Sequence, residues 1–426
     1  MNVELINTGS ELMLGRVLNT HQQWLCRRLA DLGHVVTRQV AVADAGKEIQ
    51  GAVREALDRA ELVVTTGGLG PTSDDLTREL IAELLGRKLI QNQAVLAHIE
   101  AFFSLRNRPR PAMTTVETFV PEGGLVFLNR FGTAPGLAIK IEGWSPKPQT
   151  SSPGLPARKW LVMLPGPPRE LRPMFDEYVV PLLKREFADE IFVCRTIRTT
   201  AIGESRVQEM VEGDLRPLVA LGLETGYCAR PGSVDVRLTA RGPQAEVLVR
   251  DGGTVVQKIL GANIYGFDDE EIENQVVGLL TEKQKTLALA ESCTGGNIAH
   301  RLTNVPGAST VFLGGVVSYA NTAKEHFLGV SPETLRTHGA VSEAVAQEMA
   351  SGARLEFGSD FAISVTGIAG PSGGTAEKPV GTVFIALATP AGVEVRKFLN
   401  PWDRETFKQV TTTQALELLR VKLNSA

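Results

Sequence analysis

Thr286-Leu-Ala-Leu-Ala-Glu-Ser-Cys-Thr-Gly-Gly-Asn297 is the stretch on which the reading of this chain turns. Its apolar half predicts a buried strand, and a helical pattern, Asn297-Ile-Ala-His-Arg-Leu302, follows at once. Ser292 therefore falls at a strand-to-helix junction, near the positive end of a helix. Gly295 and Gly296 would let an anionic ligand approach the backbone there. Two further apolar runs end in polar groups in the same way. Gly314-Gly-Val-Val-Ser-Tyr-Ala-Asn-Thr-Ala-Lys324 supplies Tyr319, Asn321 and Lys324. Phe361-Ala-Ile-Ser-Val-Thr-Gly-Ile-Ala-Gly-Pro371 supplies Ser364, Thr366 and Gly367. A serine needs a base to become a nucleophile, and a lysine desolvated by its neighbours can be that base. The spacing is equally compatible with a helix-capping Ser292 and a solvated Lys324.

A chain of 426 residues predicts two to three domains. With 43% hydrophobic and 22% charged residues it is an ordinary globular composition. A net charge of −4 carries no electrostatic footprint for nucleic acid. Cys26, Cys194, Cys228 and Cys293 are scattered without a CxxC pair, which predicts a reducing, cytoplasmic setting rather than a disulfide framework. The start, Met1-Asn-Val-Glu-Leu-Ile-Asn-Thr-Gly9, is not read as a signal peptide. No run approaches the ~18 apolar residues of a membrane helix, and no membrane partner is expected.

The first part alternates strands and helices. Strands are predicted at Val3–Ile6, Val35–Val42 and Leu62–Thr66, with helices at Thr20–Leu32 and Glu48–Arg59 between them. Repeated units of this kind predict a doubly wound α/β sheet, mostly parallel, with helices on both faces. The run Ser145-Pro-Lys-Pro-Gln-Thr-Ser-Ser-Pro-Gly-Leu-Pro156 is read as a surface loop between neighbouring strands, since Lys159–Leu164 looks like the last strand of the domain. The expected domains are residues 1–172, a small α+β unit over 173–262, and a second α/β domain over 263–426.

Acidic or polar clusters also sit at strand ends in the first domain: Gly9-Ser10-Glu11, Asp44, and Thr72-Ser-Asp-Asp-Leu-Thr77, the last after the Gly-rich run Gly67-Gly-Leu-Gly-Pro71. Strand carboxyl ends on such a sheet face one crevice. Carboxylates beside Gly-rich backbone bind phosphate poorly unless a divalent metal lies between. Asp74 and Asp75 could instead cap a helix over Leu76–Leu85.

Glu291-Ser-Cys-Thr-Gly-Gly296, Ser318-Tyr-Ala-Asn-Thr-Ala-Lys324, His338-Gly-Ala-Val-Ser342 and Val365-Thr-Gly-Ile-Ala-Gly-Pro371 with Lys378-Pro-Val-Gly-Thr-Val383 resemble the C-terminal domain of the CinA family, a nicotinamide-nucleotide amidase domain. The resemblance covers roughly residues 265–422 and implies hydrolysis of nicotinamide mononucleotide to nicotinate mononucleotide and ammonia, with no cofactor. It implies Ser292 as nucleophile, Lys324 as base, and Tyr319 holding the lysine deprotonated or orienting it. Thr366 and the backbone near Gly295 and Gly296 would stabilise an oxyanion or bind phosphate, Asn321 and Gly367 would line the substrate, and Arg404 would clamp the phosphate. The family phrase around Arg404 is usually Gly-Asp-Arg, where this chain has Trp402-Asp-Arg404.

Thr8-Gly-Ser-Glu-Leu12, Asn19-Thr20, Asp44, the 67–77 segment, Asn129-Arg-Phe-Gly-Thr-Ala-Pro-Gly136 and Leu164-Pro-Gly-Pro-Pro-Arg-Glu-Leu171 resemble the MoaB/MogA-like molybdopterin-binding fold in its CinA version. That resemblance implies a metal-dependent ADP-ribose pyrophosphatase yielding AMP and ribose 5-phosphate. Asp44 and Asp75 would be its functional acids and Asp44, Asp74 and Asp75 its metal set. Ser10, Glu11, Gly67, Gly68, Gly70 and Thr72 would contact substrate. A divalent ion of unspecified identity is expected, with room for a monovalent cation beside it. The middle segment resembles the family's KH-like module. Its loop Ala201-Ile-Gly-Glu-Ser205 lacks the second glycine of a nucleic-acid-clamping GxxG, so a spacer or homodimerisation role is expected, without direct nucleic-acid binding. Two rival readings remain at this stage: a molybdenum-cofactor-binding protein, and a non-enzymatic competence or recombination accessory protein.

Overall fold

The computed structural model describes residues 1–144, 158–187 and 191–425. They form two compact units, Met1–Phe192 and Val193–Ala426.

The first unit is built on a six-stranded sheet in the order Val35–Val42, Asn2–Thr8, Leu62–Thr66, Lys159–Leu164, Gly136–Ile141, Leu125–Phe127. The first four strands are mutually parallel and the last two join antiparallel. Side chains alternate across this sheet, so each strand feeds two cores. Ile6, Val63, Leu161 and Ile139 pack against Ile49, Val53 and Leu57 of the helix Gly46–Arg59. Leu5, Leu62, Val64 and Val162 face the other way, against Leu25 and Leu29 of the helix Thr20–Asp31 and against Leu171, Phe175 and Leu183.

Those last three residues move the expected boundary. The helical run from Pro168 to Glu186, with a π turn at Phe175–Val179, fills the first core. The first unit therefore extends to Phe192 instead of ending at 172. The Pro/Ser-rich run lies outside the described residues, but the strands flanking it, Gly136–Ile141 and Lys159–Leu164, are antiparallel neighbours.

The second unit carries two sheets. One has the order Glu224–Arg230, Ser233–Arg241, Phe192–Thr200, Ile264–Phe267, backed by the helices Glu204–Val219 and Ala245–Leu260. Here Ala201 to Gly203 lead straight from a strand into a helix, with Ala201 at a positive φ of 60°. The other has five strands in the order Phe312–Val317, Leu287–Glu291, Phe361–Gly367, Thr382–Thr389, Gly392–Leu399, the first three parallel. The Leu-Ala-Leu-Ala alternation of the opening stretch has a packing reason. Leu287 and Leu289 meet Ile298, Phe407 and Leu416, whereas Ala288 and Ala290 face the helix Glu343–Phe357 through Ala346, Met349 and Ala350. Small residues there let the helix lie close to the sheet. Among the described residues no helix is long and apolar enough to cross a membrane.

Candidate active site

In the five-stranded sheet, Glu291 pairs with Val317 on one side and Val365 on the other. That parallel register brings Ser292, Ser318 and Thr366 to one row of strand ends. The Ser292 N–H donates to Val365 O at 3.0 Å and the Ser318 N–H to Glu291 O at 2.8 Å, which fixes the row. The next helix after Ser318, Asn321–Leu328, aims Lys324 back at it. Lys324 is 1% exposed. Its Nζ donates to Ser318 O at 2.6 Å and to Ser292 Oγ at 3.1 Å. Burial lowers the Lys324 pKa below the usual lysine value, so a neutral amine beside the serine becomes accessible. The adjacent Cys293 is buried, and burial pushes its thiol up to about 12. It stays protonated near neutral pH, so the neighbouring sulfur is a poor rival for the nucleophile.

Ser292, Tyr319, Asn321, Lys324, Thr366, Gly367 and Arg404 line one cavity of about 190 Å³. Several of their contacts differ from expectation. The Tyr319 hydroxyl accepts from Arg404 at 2.6 Å and is not on Lys324. Arg404 also donates to Gly370 O at 3.0 Å, so its guanidinium braces the cavity wall. The Thr366 hydroxyl donates to Ala340 O at 2.7 Å and ties down a neighbouring loop.

Gly295 and Gly296 do form a left-handed turn, at φ 63° and 93°, but they lie outside the lining of this cavity. The helix start behind them is already served. Glu291, 1% exposed, accepts from the backbone N–H groups of Gly296, Ile298 and Ala299 at 3.0, 3.1 and 2.9 Å. A buried carboxylate thus caps the helix Asn297–Thr303, so those amides do not face a substrate anion. Sequence motifs alone do not assign Glu291 this role. Its available signal was an acid ending an apolar strand five residues before the glycine that opens a helix.

In the first unit, the carboxyl ends of the parallel strands open onto a cavity of about 680 Å³ lined by Glu11, Asp44, Gly67, Gly68, Gly70, Asp74 and Asp75, among others. Ser10 and Asp44 lock two strand ends together: the Ser10 N–H donates to Asp44 Oδ2 at 2.7 Å, and the Asp44 N–H to Ser10 Oγ at 3.2 Å. Thr72 organises the acidic pair, its N–H donating to Asp75 Oδ2 at 3.0 Å and its hydroxyl lying in reach of both carboxylates. Neither aspartate caps the helix Thr77–Leu84, whose N-cap, Leu76, carries no side-chain bond. Gly67 and Gly68, at φ 99° and 66°, make the turn that carries the segment past Thr8 and Thr77; a Cβ on either would stand within 2.6 Å of those residues.

The expected metal trio is not assembled. Among the described residues no three His, Cys, Asp or Glu side chains converge as a metal-holding group. Glu117, which no sequence motif singles out, also borders this cavity from the turn Ala112–Thr118. It is fully buried, with Thr133 donating to Oε1 and no partner on Oε2, and burial pushes its carboxyl up to about 7.

Comparison with known proteins settles the family. Residues 269–423 match the model of the CinA C-terminal domain, residues 4–185 that of a probable molybdopterin binding domain, and residues 194–266 that of the damage-inducible protein CinA KH domain. A Caldicellulosiruptor saccharolyticus relative whose name includes the words competence-damage inducible protein is 41% identical, with 99% of this chain and 98% of the relative covered. The chain belongs to the CinA family. A CinA-like protein of Akkermansia muciniphila is 42% identical over 98% of this chain and 96% of its own. Among solved structures, the competence/damage inducible protein CihA of Agrobacterium tumefaciens is 42% identical, covering 36% of this chain and 93% of its own, with a TM-score of 0.35. The CinA-family chain thus combines a MoaB-like N-terminal domain, a KH-like middle domain and a C-terminal α/β domain.

Proposed function

We propose that the C-terminal domain hydrolyses the carboxamide of nicotinamide mononucleotide to nicotinate mononucleotide and ammonia. The observation that carries this reading is the buried Lys324 amine 3.1 Å from Ser292 Oγ, at the floor of a cavity. Neutral Lys324 takes the Ser292 proton as Oγ attacks the carboxamide carbon. It returns the proton to the departing nitrogen, releasing ammonia and leaving an acyl ester on Ser292. Water, deprotonated by the same amine, then cleaves the ester and restores the serine. The cavity suits a small head group, so the rest of a nucleotide would lie at its mouth. Ammonia release from the mononucleotide by the purified chain tests the reading, and an inactive protein with intact fold would refute it.

A second proposal concerns the first unit: hydrolysis of ADP-ribose to AMP and ribose 5-phosphate, with a divalent ion. The acid-rich wall of the cavity, at the point where strands diverge from Asn2–Thr8 to either side, supports it. A magnesium-type ion takes one or two carboxylates and completes its shell with phosphate oxygens and water, so Asp44 and Asp75 fit it without a protein cage. Bound there, it would neutralise the pyrophosphate. Ser10 and Thr72 orient the two carboxylates. Binding of a molybdopterin in the same cavity is the competing reading, and equilibrium binding of each ligand separates them. A homodimer without nucleic-acid contact completes the proposal, with light scattering as its measurement.

A further inference from the structure

We propose that Lys408 is an anchor for a substrate phosphate at the Ser292 site; this rests on the nucleotide-amidase reading above. Three features near Ser292 could hold an anion. The start of the helix Asn297–Thr303 is taken by Glu291. The Arg404 guanidinium gives one N–H to Tyr319 and one to Gly370 O, which ties it to the cavity wall. Lys408 remains. It lies one turn beyond Arg404 on the helix Arg404–Ser425, so both side chains emerge on one face. A Cβ at Gly295 would stand 3.7 Å from Lys408 Nζ, which places the ammonium over the glycine turn that follows the nucleophile.

Lys408 is half-buried, and among the described residues its ammonium has no hydrogen bond or ion pair. Two neighbouring cations, Arg404 and Lys408, neither paired with a carboxylate among the described residues, fit an anion supplied from outside. The reacting carboxamide is neutral and needs none. The anion therefore belongs to the remote part of the substrate, and a phosphate on a pentose joined to the ring has that chemistry. The bare Gly295–Gly296 turn leaves the space that a phosphate beside Lys408 would use.

The test measures ammonia release from nicotinamide mononucleotide and from the dephosphorylated riboside by the full chain, with Lys408→Ala and Lys408→Arg. Loss of one charge-assisted hydrogen bond predicts a fall of about ten- to hundredfold in kcat/KM for the mononucleotide in Lys408→Ala, mostly in KM. The riboside should change less than about twofold, and Lys408→Arg should recover most of the loss. Equal losses on both substrates, or none on the mononucleotide, overturn the assignment. Calorimetric binding of ribose 5-phosphate and ribose to Ser292→Ala, with and without Lys408→Ala, judges Lys408 separately from the chemistry. A phosphate-dependent difference between the two proteins supports the anchor even where the wild type releases no ammonia, an outcome that would sink the amidase reading alone. No difference sinks the anchor.

Discussion

Replacing Lys324 by methionine separates catalysis from folding at the site. Methionine keeps the unbranched shape and removes the amine. The lost bond to Ser318 O costs about 1 kcal/mol net. Against this, the wild-type lysine has its pKa lowered by burial, so folding disfavours its charged form. That penalty is present below the folded pKa and fades as pH rises towards the unfolded value of 10.5. Near neutral pH the variant escapes it, and the net change in unfolding free energy should stay within about 1 kcal/mol. Ammonia release should nonetheless fall by roughly 10²–10⁴, or about 3–5 kcal/mol in barrier, because the general base is gone. In the wild type the rate should climb with pH as Lys324 loses its proton, and the variant should lack that limb. Urea unfolding and a coupled ammonia assay over a pH series give both quantities. Turnover above about a tenth of wild type would refute the base role, and a destabilisation of several kcal/mol would make Lys324 a structural residue instead.

Cys293→Ala should deamidate within a few-fold of wild type, while Ser292→Ala should be inactive; the reverse in an ammonia assay would move the nucleophile to the sulfur. Asp44→Asn or Asp75→Asn should lower ADP-ribose hydrolysis by about tenfold or more and leave deamidation intact, with chelator acting in the same way on AMP production. Glu117 has its carboxyl raised to about 7 against 4.5 unfolded, so its contribution to stability is complete below 4.5 and is lost as pH rises through 7. Glu117→Gln should flatten that dependence and raise the stability of the first unit at pH 8 by ~1–3 kcal/mol, read from urea unfolding at pH 5 and 8.

The sequence by itself determined the ingredients that local periodicity can carry. The apolar run before Ser292, the apolar run before Ser318 and the acids after strands Asn2–Thr8 and Leu62–Thr66 are set by neighbours within a few residues, so their placement at strand ends was legible; that Lys324 sits on the helix Asn321–Leu328 was not. The tertiary structure decided which of them touch. Lys324 reaches Ser292 across 32 positions only because Leu287–Glu291 and Phe312–Val317 pair in parallel with Glu291 opposite Val317. A one-residue slip would turn every side chain on one strand to the other face. The same holds for what the sequence did not disclose. Glu291 is drawn inward by amides freed at a helix start, and Glu117 comes from a turn that precedes the short strand Phe119–Pro121, outside the six-stranded sheet. Tyr319 is claimed by an arginine 85 residues away. Such contacts depend on where packing delivers distant segments, and no periodicity within a segment encodes that.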